Sequence, residues 1–188
     1  MQIEKILPRM DAVLFGPGVG QSEGCDYLLC KLLKEFKNTL IIDADGINLL
    51  NGHIDLLRGR TAATILTPHE GEFARLVGHA VSNRQNDAVE TANDLSSIIV
   101  LKGHKTIITD GEMIYMNSTG NPGMAVGGSG DLLAGMITGL VGQGIPVLDS
   151  TVCAAWLHGA AGDICAEELG QYSMLPQDML DVIPRLMK

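Results

Sequence analysis

Short, almost unbroken apolar runs alternate with longer amphipathic stretches along this chain. That alternation restricts the possible folds more than any other feature. DAVLFG (11–16), TLII within 39–45, AATILT (62–67) and IIVL within 98–103 have too few polar positions to leave one face in water. Strands apolar on both faces belong to parallel sheets covered by helices on both sides. Between them, 22–37 and 84–97 read as helices, the first capped by Ser22 and carrying Tyr27, Leu28 and Leu32 at helical spacing. A short helix is expected near 46–50, and further helices at 129–141, about 147–169 and about 176–187. TIITDG and MIYMNS, joined by Asp110-Gly111, read as a hairpin, an antiparallel excursion over 105–118. The expectation is one α/β domain over 1–188, with a mostly parallel sheet, helices on both faces and a small antiparallel hairpin.

Composition narrows the partners. Net charge is −9, and the 13 Lys and Arg residues form no dense basic tract, which argues against nucleic acid. No apolar run is long enough to span a bilayer, so no membrane partner is expected. The opening MQIEKILPRMDAV has no secretory signature, and a cytoplasmic location is the expectation. Cys25, Cys30, Cys153 and Cys165 have no CxxC or zinc-like spacing and read as buried, reduced thiols. The five histidines show no HExxH or paired spacing, so the pattern gives no zinc site.

In parallel sheets, ligands sit at the carboxyl ends of the strands. The loops there are 16–21, 43–48, 67–72, 102–106 and 120–131, the stretches richest in Gly, Asp, His and Asn. In Gly127-Gly128-Ser129-Gly130-Asp131, unpaired amides at a helix start and the absence of Cβ atoms suit a phosphate. Asp131 can take a proton from a hydroxyl attacking that phosphate. The pentapeptide alone is equally a capped helix after a tight turn. GPGVG (16–20) is not a dinucleotide fingerprint, since Gln21 stands where the third glycine falls, and no GxxxxGK[ST] loop occurs.

LTPHEGEFARL (66–76) ends a strand at Pro68 and opens a helix with Glu70 and Glu72 in its first turn, where helix-dipole pairing explains them equally well. His69 lies at the strand end, and a carboxylate here can hold Mg2+ through water. In DADGIN (43–48), Asp45 reads as a helix cap, and Asp43, Asp45 and Asn48 together suggest ligand contacts. In LKGHKTIITDG (101–111), Lys102 reads as a phosphate contact and the turn as a nucleotide shelf, while Lys105 suits a solvated corner.

Taken together and in this order, GPGVG, DADGIN, LTPHEGEFARL, LKGHKT (101–106), GNPGMAVGGSGDLLAGMITGL (120–140) and AAWLHGAAGD (154–163) resemble the ADP/ATP-dependent NAD(P)H-hydrate dehydratases of the ribokinase-like superfamily. The segments cover nearly the whole chain. The resemblance implies a repair reaction: a nucleotide, ADP or ATP, phosphorylates the hydroxyl of hydrated NADH or NADPH, and phosphate then leaves. It implies Asp131 as the base, with Gly128, Ser129 and Gly130 as the anion hole. Lys102, Gly103, His104, Lys105, Thr106 and Gly130 would contact the nucleotide, and Gly18, Gly20, His69 and Asp131 the hydrate. Glu72 matches a Mg2+-associated glutamate acting through water, and His69 stands where many relatives carry Asn. Val126 departs from the Thr or Ser common at its position. Relatives begin several tens of residues earlier, so the chain is expected to be N-terminally truncated relative to them. A homo-oligomer is implied as well. Two competing readings use the same residues: a ribokinase-like vitamin or sugar kinase, and an inactive nucleotide-binding assembly module.

Overall fold

Strand order follows chain order in the central sheet. A computed structural model describes residues 3–188. A short helix α1 (Ile3–Ile6) leads into β1 (Ala12–Phe15), α2 (Glu23–Glu35), β2 (Thr39–Ile42), α3 (Asp45–Leu49) and α4 (Ile54–Arg58). Then come β3 (Thr64–Leu66), α5 (Glu70–Val77), α6 (Arg84–Leu95) and β4 (Ile98–Leu101). The hairpin strands β5 (Ile107–Thr109) and β6 (Ile114–Met116) follow, then α7 (Ser129–Gly142), α8 (Val147–Leu169) and α9 (Pro176–Leu186). β1 through β4 pair in parallel, and β4–β5 and β5–β6 are antiparallel.

Successive parallel strands joined by crossovers of one hand put their helices on one face. Strand pleating confirms the partition. Leu40, Ile42, Ile99 and Leu101 point into a core with Leu29, Leu32, Phe73, Ala88 and Leu95 of α2, α5 and α6. Their neighbours Ile41, Ile98 and Val100 point the other way, against Leu133, Ile137 and Ala154 of α7 and α8. Helix α9 packs outside α8 around Cys165, Met174, Met179 and Val182. The expected sheet, two-sided helical cover and hairpin are therefore present.

Three local expectations are corrected. β1 is not fully buried: only Phe15 is, because β1 is an edge strand paired with β2 alone. The buried face of α2 is Leu29, Leu32 and Leu33, while Tyr27 is exposed. Of the cysteines, only Cys165 is buried; Cys25 and Cys30 are half-buried and Cys153 is exposed. Cys153 lies on α8 and is turned away from the sheet face that Ala154 and Ala155 cover. The hairpin turn forms as read, with Asp110 Oδ1 accepting from the amides of Glu112 (3.0 Å) and Met113 (2.8 Å). Those bonds, Met113's first, hold the Asp110 carboxyl below its ordinary range. Ser22 caps α2 through the amide of Cys25.

Candidate active site

Chemistry-bearing groups gather at the carboxyl ends of β1 to β4. The chain leaves β1 through Gly16, whose φ of +133° and contact with the Asp43 carbonyl leave no room for a Cβ. This close crossing locks the 16–20 loop onto the end of β2. Gly18 and Gly20 also have positive φ, but face open space and are exposed. Asp45 does not cap α3, as its spacing suggested: its Oδ2 accepts from the Gly20 amide at 2.9 Å. The cap position falls to Ala44, a non-glycine residue at φ 48°, ψ −121°. Such backbone strain persists only where neighbours fix it.

Asp43 is 1% exposed. Its Oδ1 accepts from Lys102 Nζ at 2.7 Å, while Oδ2 is buried without a hydrogen-bond partner among the described residues. Lys102 arrives from the end of β4, and Glu72 Oε2 stands 3.9 Å from the same ammonium. Glu72 is itself buried, held by the His69 amide at 2.8 Å. His69 completes a reciprocal capping box, its Nδ1 accepting from the amides of Gly71 and Glu72. Its ring edge remains exposed, with Nε2 at 3.5 Å from Glu72 Oε1. One half-buried cation thus faces two buried carboxylates, and one carboxylate oxygen has no partner among the described residues. Buried polar atoms are rarely left so, and the exceptions concentrate at functional sites.

Helix α7 begins beside this cluster. A Cβ built on Gly130 would lie 3.2 Å from Lys102 Nζ and 3.9 Å from Asp43 Oδ2. Glycine at 130 therefore lets the helix start approach the pair. Gly128 adopts φ +90° as the N-cap and offers no side chain to the first turn. Among the described residues, the amides of Gly128, Gly130 and Asp131 donate to no backbone or side-chain acceptor. Open amides at a helix N-terminus suit an anion. Asp131 is exposed on the first turn, its carboxylate bonded to no other described group.

The loop leading to α7 is bound to α8. Asp163 accepts from the Gly120 amide (2.8 Å) and Asn121 Nδ2 (3.0 Å), and Gly159 and Gly162 admit Thr119 and Met124. The small residues of AAWLHGAAGD serve that close approach. His158, on the same helix, sits 3.3 Å from Ser129 Oγ and is 8% exposed. Burial pushes its pKa down to about 4, so a neutral imidazole supports the first residue of α7.

With the fold and this site in view, comparison with known proteins is decisive. The family model described as NAD(P)H-hydrate dehydratase matches residues 1–185. The chain belongs to the NAD(P)H-hydrate dehydratase family. It is 39% identical over 188 residues to the bifunctional NAD(P)H-hydrate repair enzyme Nnr of Moorella thermoacetica, covering 97% of this chain and 35% of that protein. The ADP-dependent (S)-NAD(P)H-hydrate dehydratase of Neisseria meningitidis is 38% identical over 170 residues, covering 86% of this chain and 57% of that one. In structure it resembles the Bacillus subtilis ADP/ATP-dependent dehydratase co-crystallised with ATP/Mg2+, with a TM-score of 0.83 at 31% identity. That match covers 94% of this chain and 64% of the other. The fold is ribokinase-like. The chain thus spans roughly a third of the bifunctional relative and under two thirds of the other two.

Within this dehydratase fold, Lys102, Glu72, His69 and Gly130 come together around Asp43. Gly103, His104 and Lys105 continue from Lys102 as an exposed turn, closed by Thr106 Oγ1 on the Gly103 carbonyl at 3.1 Å. Gly18 and Gly20 occupy the neighbouring strand end. Asp43 was visible in sequence only as one of three polar residues in DADGIN. The structure separates them: Asp43 meets Lys102, Asp45 meets Gly20, and Asn48 Oδ1 accepts from Arg75 at 3.0 Å. Arg84 was missed altogether. It braces the 101–104 turn by donating to the carbonyls of Leu101 (3.1 Å) and His104 (2.6 Å). Two surface grooves, one at Asp11, Lys37 and Asn38 and one beside Leu76 and Thr91, lie away from these groups. The convergence of charge and open amides marks the site better than concavity does.

Proposed function

We propose that this chain catalyses nucleotide-dependent dehydration of NADH or NADPH hydrate in the cytoplasm. The observation that carries the reading is the open start of α7, set against the Asp43–Lys102 pair. The open amides of Gly128, Gly130 and Asp131 hold the phosphoryl group being transferred, whereas the Ser129 amide expected among them is taken by the Val126 carbonyl at 3.3 Å, and the exposed turn Lys102–Thr106 receives the nucleotide. Asp131 removes the proton from the hydrate hydroxyl. That oxygen bonds to the terminal phosphorus of ADP or ATP, and the bond to the bridging oxygen breaks. The carbon–oxygen bond of the phosphorylated hydrate then breaks, phosphate departs, and loss of a proton from the adjacent carbon restores the ring double bond. Gly18, Gly20 and the exposed edge of His69 orient the hydrate.

Mg2+ suits the residues at the site. It takes oxygen donors and keeps much of its water, and Asp43 Oδ2 is a buried oxygen without a partner, with buried Glu72 nearby. Asp43 and Glu72 would hold it through water, and when bound it neutralises charge on the nucleotide phosphates. Lys102 offsets one of the two carboxylate charges, pairing with Asp43 at 2.7 Å, and stands beside Gly130, ready to contact phosphate oxygens. A cytoplasmic setting accords with the four free cysteines. A homo-oligomer accords with the exposed apolar side chains of Ile114, Met116 and Trp156, and sedimentation would test it.

The test is incubation with NADH hydrate and ADP or ATP, following dihydronicotinamide absorbance and released phosphate together. Recovery of absorbance with one phosphate released per ring restored is expected. A stable phosphorylated product without recovery would favour a kinase, and nucleotide binding with neither would favour an inactive module.

A further inference from the structure

A second cluster lies on the helical face beneath α2 and shares no residue with the site above. Asp26 and Cys30 are four apart on α2 and so share one side of it. His53, from the turn that opens α4, meets them there. Cys30 Sγ lies 3.4 Å from both ring nitrogens of His53, and His53 Nε2 lies 2.7 Å from Asp26 Oδ1. One sulfur, one nitrogen and one oxygen donor therefore fall within 4.8 Å of one another, all on half-buried residues.

We propose that Asp26, Cys30 and His53 bind a divalent transition-metal ion of the zinc class. Zinc takes thiolate sulfur at about 2.3 Å and imidazole nitrogen or carboxylate oxygen at about 2.0–2.2 Å. Around a tetrahedral ion, those lengths put donors roughly 3.3–3.6 Å apart. The sulfur–nitrogen separation already matches in length, and the nitrogen–oxygen pair must open by roughly 0.6 Å or more. A thiolate with an imidazole selects zinc, cobalt or nickel over Mg2+ or Ca2+, which prefer oxygen alone. Three protein donors leave the fourth position to water. The Asp26 side chain is 44% exposed, which gives an ion a way in.

Two alternatives fit less well. A disulfide at Cys30 lacks a partner, because the nearest cysteine in sequence, Cys25, turns its sulfur to the Val19 carbonyl at 3.0 Å. An ordinary Asp–His hydrogen bond accounts for Asp26 and His53 but gives no role to Cys30, whose sulfur needs only to swing from the ring toward Nε2 to complete a metal set. Bound there, an ion ties α2 to α4. Helix α2 follows directly on the 16–20 glycine loop, so the tie also steadies one wall of the active site. Spacing along the chain hides the site, since His53 is 23 residues beyond Cys30.

The test is Co2+ titration of the metal-free chain, with spectra recorded at each addition. The expected result is a thiolate-to-cobalt charge-transfer band saturating at one ion per chain, displaced by Zn2+ but not by Mg2+. Cys30→Ser should abolish the band and His53→Ala should weaken or abolish it, with circular dichroism confirming that both variants fold. Cys153→Ser, at the exposed thiol, should leave it intact. Zn2+ should raise the melting temperature of the unmodified chain and not that of Cys30→Ser. Absence of a saturable band, or a band that survives Cys30→Ser, would overturn the proposal. Every readout is spectroscopic or thermal, so the outcome is independent of dehydratase activity.

Discussion

At the amino end of the sheet, Arg60 donates to Thr64 Oγ1 (2.9 Å) and to the carbonyls of Phe36 (2.8 Å), Leu32 (3.1 Å) and Asn38 (2.9 Å). It closes the last turn of α2 and secures the entry to β2. At the carboxyl end, Lys102 reaches Asp43, and a second carboxylate oxygen is left buried and unpartnered among the described residues. One charge is saturated by neutral acceptors, and the other sits among opposing charges with capacity to spare. Arg60 supplies stability, whereas the Asp43–Lys102 cluster holds open bonding capacity that a ligand can complete. The difference follows from position: amino-end loops need only close the fold, while carboxyl-end loops converge on the start of α7.

Substitutions at the two ends should therefore part company. Asp131→Asn should lower turnover by roughly 100-fold or more, with nucleotide affinity and stability nearly unchanged, as steady-state kinetics and calorimetry would show. Arg60→Ala should do the reverse. It strands carbonyls at the end of α2 and should cost about 3 kcal/mol in urea unfolding, with turnover per folded molecule retained.

His158 links the two behaviours, as a buried group supporting the first residue of α7. Its folded pKa, about 4, lies below the ordinary 6.5, so between these values the unfolded chain binds more protons. Its contribution is complete above pH 6.5 and is lost as pH falls, by about 2 kcal/mol at pH 5. Unfolding curves at pH 7 and pH 5 should show that slope, and His158→Gln should reduce it. The smallest effect is expected at Gly130→Ala. The added methyl meets the flexible end of Lys102, so stability should move by no more than about 0.5 kcal/mol. Turnover should fall roughly tenfold, as Lys102 is displaced from the anion site.

These contrasts also explain what could be read from the chain. The sheet was legible because Leu40 through Ile42 and Ile98 through Leu101 are apolar on both faces, a pattern with few structural solutions. The edge status of β1 was not, because DAVLFG has the same composition whether or not a neighbour covers it. The glycine-rich start of α7 was legible as a helix beginning, with its anion role left open. The Asp43–Lys102 pair spans 59 residues, and the Asp26–Cys30–His53 cluster joins two elements. Such contacts depend on how helices pack, which local pattern does not encode. Asp45 was misread for the same reason, since its acceptor role is set by a loop 25 residues away.

The most direct measurement is a backbone-amide NMR titration of the 15N-labelled chain with ATP and Mg2+, with adenosine as control. The account predicts saturable shifts at Gly128, Gly130 and Asp131 with ATP but not with adenosine, and none around Arg60. Shifts centred elsewhere, or equal shifts with adenosine, would contradict the assignment of the α7 start as the phosphate site.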